Sequence, residues 1–254
     1  MRVRILGSGT SSGVPRIGND WGACDPMEPR NRRLRSSLLV EHEGTRILLD
    51  TSPDLREQLL AADIDRVDAI IWTHDHADHC HGIDDVRQIF HALGRPVVGF
   101  ARAATLDVLS DRFAYVFRGR AGYPSTVEAQ PLPDRLRIGG IEIEVVDQPH
   151  GSIQSAGLRF TANGHSVGYA TDFHELTSDM RSLYTDLDLW IVDALRYAPH
   201  PTHPDVPTVL QWVDDLRPIR TALVHMDQSM DYATLVAALP PGVEPGYDGM
   251  EFAL

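Results

Sequence analysis

Ten residues, Thr73 to Gly82, read THDHADHCHG and carry four histidines and two aspartates. His74 and His76 alternate while Asp78 and His79 are adjacent, a spacing that no single helix face or strand face brings to one point. A coiled loop following a strand can do so. Neutral imidazole nitrogens and carboxylate oxygens are ligands for zinc, manganese or iron. A site with few protein ligands also leaves a position for water. The chemistry implied is that of a catalytic metal.

Other polar residues share one placement, at or just beyond the end of an apolar run. RILLD ends at Asp50, AIIWT leads into the histidines, IEVVDQPH ends at His150, VGYATD at Asp172, LWIVD at Asp193 and TALVH at His225. Strand ends are where a rigid scaffold presents side chains to a shared cleft, so these six endings are expected to form one site.

The runs themselves predict strands over Val3–Leu6, Ser37–Val40, Ile47–Asp50, Ala69–Trp72, Val97–Phe100, Ile141–Val146, Leu158–Thr161, Val167–Ala170, Leu189–Val192 and Ala222–Val224. Glycine turns at HEGT, IGGI and ANGH predict hairpins, hence some antiparallel pairing. Helical periodicity marks SPDLREQLLAA, with Ser52 as N-cap and Pro53 at the first helical position, and then IDDVRQIFHAL, DVPTVLQWVDDL and DYATLVAALP. No repeat and no long linker divides the chain, so residues 1–254 are expected to form a single domain with a loop insertion near 18–35.

Composition narrows the partners. With 36 acidic against 23 basic residues, the formal net charge is −13, which argues against a general electrostatic grip on nucleic acid or on an anionic membrane. Any phosphate therefore needs a local positive centre. Cys24 and Cys80 are too few for a disulfide framework. The opening MRVRILGSGT reads as a strand entering a turn rather than a signal peptide, and no apolar run approaches the ~20 residues of a membrane span. A cytoplasmic protein without membrane association is expected.

THDHADH, followed by single ligands in QPHG, ATD and LVHM, resembles the signature of the metallo-β-lactamase superfamily. That resemblance implies an α/β fold, a four-layer αββα sandwich. It also implies that His74, His76 and His150 hold one metal, that Asp78, His79 and His225 hold a second, and that Asp172 bridges both. Asp50 matches the aspartate that buttresses the ligand loop. The start LGSGTSSGVP, the segment THPDVPTVL and the end PPGVEPGYDGMEFAL are similar to the branch containing phosphoribosyl 1,2-cyclic phosphate phosphodiesterase. A homodimer is implied by the same likeness.

The mixed His and Asp set suits hydrolysis by two divalent ions, Zn²⁺ or Mn²⁺. Two cations can acidify a bridging water, hold a phosphoryl oxygen and neutralise charge building on phosphorus. The leading expectation is a dinuclear phosphodiesterase acting on a small cyclic or nucleotide-like phosphate ester. Alternatives are a thioester, lactone or amide hydrolase on the same centre, or a non-catalytic metal-binding module. Asp78 and His203 are the candidate catalytic residues. His203 lies in the proline-stiffened APHPTHPDVPTVL, matches a histidine placed to contact the substrate phosphate in the resembling branch, and has His200 as neighbouring competitor.

Weaker motifs follow. GSGTSSG misses the dinucleotide and P-loop patterns and reads as a tight turn near the metals. RNRRLR offers Arg32, Arg33 or Arg35 to a second substrate phosphate, or is a solvated loop face. Cys80 reads as small filler, while His42, His91 and His165 carry no chemistry. The resembling branch has a cysteine-rich structural zinc site in the loop after the glycine turn, completed by a later histidine. Here that loop has only Cys24, and the later position is Gln228. One thiolate and an amide cannot make a Cys/His zinc shell, so the loop is expected to be held by packing or by a partner subunit.

Overall fold

Alternation along the central strands puts apolar side chains on both faces. Val3 and Ile5 point one way and Leu6 the other; Leu38 and Val40 oppose Leu39; Leu189 and Ile191 oppose Trp190 and Val192. A strand apolar on both sides must be covered on both sides. The computed structural model, which describes residues 1–254, meets that requirement with two sheets face to face and helices outside each. One apolar core lies between the sheets, a second under the helices of the first sheet and a third under those of the second. The αββα sandwich implied by the resemblance is the observed architecture.

The first sheet contains β1 (Arg2–Gly7), β2 (Ser37–His42), β3 (Thr45–Leu49), β4 (Ala69–Ile71), β5 (Val97–Ala101), β6 (Val127–Pro131) and β14 (Glu251–Ala253), ordered β14-β1-β2-β3-β4-β5-β6. The second contains β7 (Arg135–Ile138), β8 (Ile141–His150), β9 (Ile153–Ala162), β10 (His165–Ala170), β11 (Leu189–Asp193), β12 (Arg220–Val224) and β13 (Val243–Pro245), ordered β13-β12-β11-β10-β9-β8-β7. In each sheet the earlier strands pair antiparallel. From β3 to β6 and from β10 to β13 the pairing is parallel. The hairpins at HEGT, IGGI and ANGH are present, joining β2–β3, β7–β8 and β9–β10. Parallel strands end on the same side, and open α/β sheets place their ligands in the crevice beyond those carboxyl ends.

The helices are α1 (Leu55–Ala62), α2 (Ala77–Cys80), α3 (Val86–Leu93), α4 (Ala103–Arg112), α5 (Ala114–Arg118), α6 (Ser178–Tyr184), α7 (Val206–Leu216) and α8 (Tyr232–Ala238). None is long and apolar enough to cross a membrane. The last two start at aspartate caps, with Asp205 accepting from Thr208 N and Asp231 from Thr234 N. α1 does not start at Ser52. Ser52 Oγ accepts from the Asp54 amide and donates to Gln58 Oε1, making a Ser-Pro-Asp turn, and the helix begins at Leu55. Asp78 and His79, expected in coil, sit in the single turn α2.

The insertion over 18–35 contains only a 3-10 turn, Pro29–Asn31, and is fixed by packing. Arg33 is fully buried. Its guanidinium donates to the carbonyls of Asp227 and Met230 and lies 3.7 Å from Cys24 Sγ. Asn31 donates to Asp231, and Ala23 N donates to the Gln228 carbonyl. Of the two readings of RNRRLR, a phosphate contact or a solvated loop face, neither holds for Arg33: its donors hold the insertion to the segment after β12. Arg35 is likewise occupied by Asp54, at 2.7 Å. Arg32 alone of the three is exposed and carries no ion pair, its guanidinium lying over the Trp21 ring.

Candidate metal centre

The strand-end residues converge as expected. Asp50 follows β3, His74 and His76 follow β4, His150 ends β8, Asp172 follows β10, Asp193 ends β11 and His225 follows β12. Ligand-capable atoms of His74, His76, His150 and Asp172 lie within 4.8 Å of one another, as do those of Asp78, His79 and His225. A third such group joins Asp172, His203 and His225. Asp172 stands between them. Its Oδ1 faces His74 Nε2 at 3.8 Å and His150 Nε2 at 3.6 Å, while its Oδ2 faces His79 Nε2 at 3.1 Å and His225 Nε2 at 3.6 Å. Asp78 Oδ2 lies 3.4 Å from His79 Nε2 and 3.5 Å from His225 Nε2.

The backbone is bent to reach this arrangement. Asp50, Asp172 and His225 all have left-handed backbone, with φ of 61°, 55° and 58°. Such conformations cost on the order of 1–3 kcal/mol each outside glycine and persist where surrounding structure fixes them. Thr51 N donates to the His79 carbonyl and Gly82 N to the Thr51 carbonyl, binding the ligand loop to the chain after Asp50. Ser155 Oγ donates to the Asp172 carbonyl at 2.7 Å.

Outer hydrogen bonds set which ring nitrogen faces inward. His79 Nδ1–H donates to Asp50 Oδ2 at 2.7 Å, and His150 Nδ1–H to the Thr202 carbonyl at 3.0 Å. Thr73 Oγ1 donates to Asp50 and so can accept from His74 Nδ1 at 3.0 Å. Each assignment leaves an Nε2 lone pair on the inside, the pattern that orients metal-binding imidazoles. Thr73, Thr202 and the role of Asp193 were not legible in the motifs. The only available signal was their adjacency to His74, to His203 and to the end of an apolar run.

The charges favour a cation at the centre. Burial pulls the His74 and His150 imidazoles down, keeping them neutral and able to offer a lone pair. Burial also opposes protonation of His79 and His225. Asp172 with Asp78 and Asp50 nevertheless pushes His79 well up, and Asp172 with Asp193 and Asp78 pushes His225 up to about 9. Asp78 and Asp172, despite burial, are held below the usual carboxylate range by the facing histidines. Asp50 goes the other way, pushed up by burial. His74 Nε2 and His79 Nε2 are buried without a hydrogen-bond partner. Inward lone pairs, orphaned nitrogens and carboxylates that demand positive charge make a donor set suited to divalent metal ions.

His203 comes from the loop between β11 and α7. Its Nδ1 lies 2.7 Å from Asp193 Oδ2 and its Nε2 3.9 Å from Asp172 Oδ1, and its ring stacks on His225 at 4.9 Å. His200 packs against the His203 ring at 5.1 Å, and its Nδ1 accepts from Thr202 N. Cys80 is buried, its thiol pushed up to about 11 by burial, and its sulfur lies 3.3 Å from the Asp75 carbonyl, so it ties the turn together rather than only filling space.

A profile of the Beta-lactamase superfamily domain matches residues 45–226. An octanoyltransferase of Porphyromonas gingivalis is 32% identical over 261 residues, covering 99% of this chain. The chain spans about half of that relative's length, 51%. Among solved structures, a diphosphatase from the PhnP family superposes with a TM-score of 0.90 at 34% identity, covering 99% of this chain and 97% of that one. Zn²⁺-bound PqqB from Methylobacterium extorquens shares the fold, with a TM-score of 0.80 at 20% identity and 100% coverage of both chains.

Proposed function

The chain belongs to the metallo-β-lactamase superfamily, and we propose that it is a metal-dependent hydrolase, a dinuclear phosphodiesterase acting on a small phosphate ester. The observation that carries this reading is the Asp172 carboxylate. Each of its oxygens faces a separate histidine cluster, the arrangement needed to hold two ions at a fixed separation. His74, His76 and His150 would hold one ion, and Asp78, His79 and His225 the other. The phosphate preference draws support from the likeness to the diphosphatase over nearly the full chain.

Two divalent ions, Zn²⁺ or Mn²⁺, would supply Lewis acidity toward a phosphoryl oxygen and ready access to hydroxide near neutral pH. The chain's own residues do the rest. Asp50, Thr73 and Thr202 fix the ring orientations. His203 Nδ1–H donates to Asp193, so Nε2 faces the reaction space, and in the imidazolium form, protonated at both nitrogens, it can hand a proton to the departing alkoxide and return to the neutral ring. With thirteen more acidic than basic residues, the chain's net charge does not itself draw a phosphate in, so that pull would come from the ions.

A second reading, hydrolysis of an acyl ester or thioester on the same centre, is favoured by the octanoyltransferase relative. One comparison separates the two. Metal-loaded protein is assayed on bis-p-nitrophenyl phosphate, a 2′,3′-cyclic nucleotide, a diphosphate ester and an acyl thioester. The phosphodiesterase reading expects at least one phosphate substrate to exceed the thioester in kcat/KM by ~10²-fold or more. The opposite ranking replaces it with the acyl hydrolase.

A further inference from the structure

Asp75 stands between His74 and His76 in chain without regular secondary structure, just before α2. Its partner is Arg112, the last residue of α4. Arg112 Nη2 lies 3.0 Å from the Asp75 carboxylate, and Nη1 donates to the Asp75 carbonyl at 2.6 Å and lies 3.5 Å from Cys80 Sγ. One guanidinium thus bridges the two ends of the turn that carries His76, Asp78 and His79. The helix behind it is anchored by Leu106 and Leu109 in the outer core of the first sheet. The next residue, Phe113, packs edge-on against His81 at 5.5 Å, gripping the turn from its other side. Asp75 also lines a cavity of about 970 Å³ between α4 and the β8–β9 turn.

We propose that Arg112 is a positioning residue which, through Asp75 and Cys80, holds the ligand turn in the spacing that metal binding requires. This rests on the metal-centre reading. Planarity matters: the guanidinium reaches a carboxylate, a carbonyl and a sulfur at once, whereas the ammonium of a lysine presents a point charge that can keep the ion pair but not the bridge.

The test is zinc affinity, measured by competition with a chromophoric chelator on wild type, Arg112→Ala, Arg112→Lys, Asp75→Asn and the double variant, with folding checked by circular dichroism. Arg112→Ala is expected to weaken zinc binding ~10- to 100-fold, the range usual for outer partners of metal ligands. Arg112→Lys should fall between it and wild type. Adding Asp75→Asn to Arg112→Ala should cost less than the two single changes combined, because both break one clamp. Zinc affinities of folded Arg112→Ala within about twofold of wild type overturn the proposal. If that variant does not fold, unchanged affinity in both Arg112→Lys and Asp75→Asn overturns it equally. Wild type that takes up no zinc or manganese sinks the metal-centre reading instead, a result distinct from a failed clamp.

Discussion

His203 Nδ1 lies 2.7 Å from Asp193 Oδ2, a charge-assisted pair whose carboxylate end is fully buried at the end of β11. The pair fixes the ring in one orientation, with Nε2 turned toward the reaction space. His203→Ala is expected to keep its metals and lower kcat by roughly 10²-fold or more on a phosphodiester with a poor leaving group, with a smaller loss on a p-nitrophenyl ester. A kcat unchanged from wild type on both substrates removes His203 from the mechanism. Loss of metal from the variant would make it a ligand.

Asp172 faces both histidine clusters, so its removal should affect both. Elemental analysis of wild type is expected to give about two transition-metal ions per chain, with fewer in Asp172→Ala and activity reduced by well over tenfold. Retained turnover within about tenfold of wild type contradicts a bridging carboxylate.

Gly82 closes the ligand loop against the chain after Asp50. A Cβ there would collide with the Ser52 carbonyl, a main-chain atom that cannot swing aside, while Gly82 N is bonded to the Thr51 carbonyl. Gly82→Ala is expected to lower stability by roughly 1–3 kcal/mol, read from urea unfolding, and to weaken metal binding with it. Unchanged unfolding midpoints would show that the loop yields freely.

Asp248 is buried, and burial pushes its carboxyl up to about 6 despite donors from Ser8 and Leu34. A carboxyl raised in the folded state binds its proton more tightly there than when unfolded. Its stabilising share is thus fully present below the ordinary value near 4 and is lost as pH rises through about 6. In chelator-stripped protein, the stability of wild type relative to Asp248→Asn should fall by up to about 3 kcal/mol between pH 4 and pH 7. A flat difference across that range would show that Asp248 titrates normally.

The candidate cluster was readable because histidines and aspartates at the ends of apolar runs combine a rare residue type with a fixed place in the fold. What surrounds that set was less legible. Thr202 supports His150 from a residue more than fifty positions away, and Asp193 supports His203 only because β11 ends beneath the loop. α4 escaped detection because only Thr105, Leu106 and Leu109 are buried, too few for a clear helical stripe. β6 did so because it is an edge strand in which only Val127 is buried. Ser52 misled as a cap because a Ser-Pro-Asp turn and a helix start look alike in sequence. Arg33 shows that an arginine-rich loop segment can turn its side chain into the interior to satisfy carbonyls.

The left-handed backbone at Asp50, Asp172 and His225 makes the centre a point of local frustration, since three non-glycine residues are bent there in the service of ligand geometry. Frustration of this kind is relieved by opening locally, and a bound ion that needs the bent form would suppress the opening. The amides of Thr51, Phe173 and Met226, each one residue beyond a bend, should exchange hydrogen faster in chelator-stripped protein and slow on adding zinc, while the strand interiors change little. The protein's fastest breathing would then sit at its chemical centre, with metal acting as the latch.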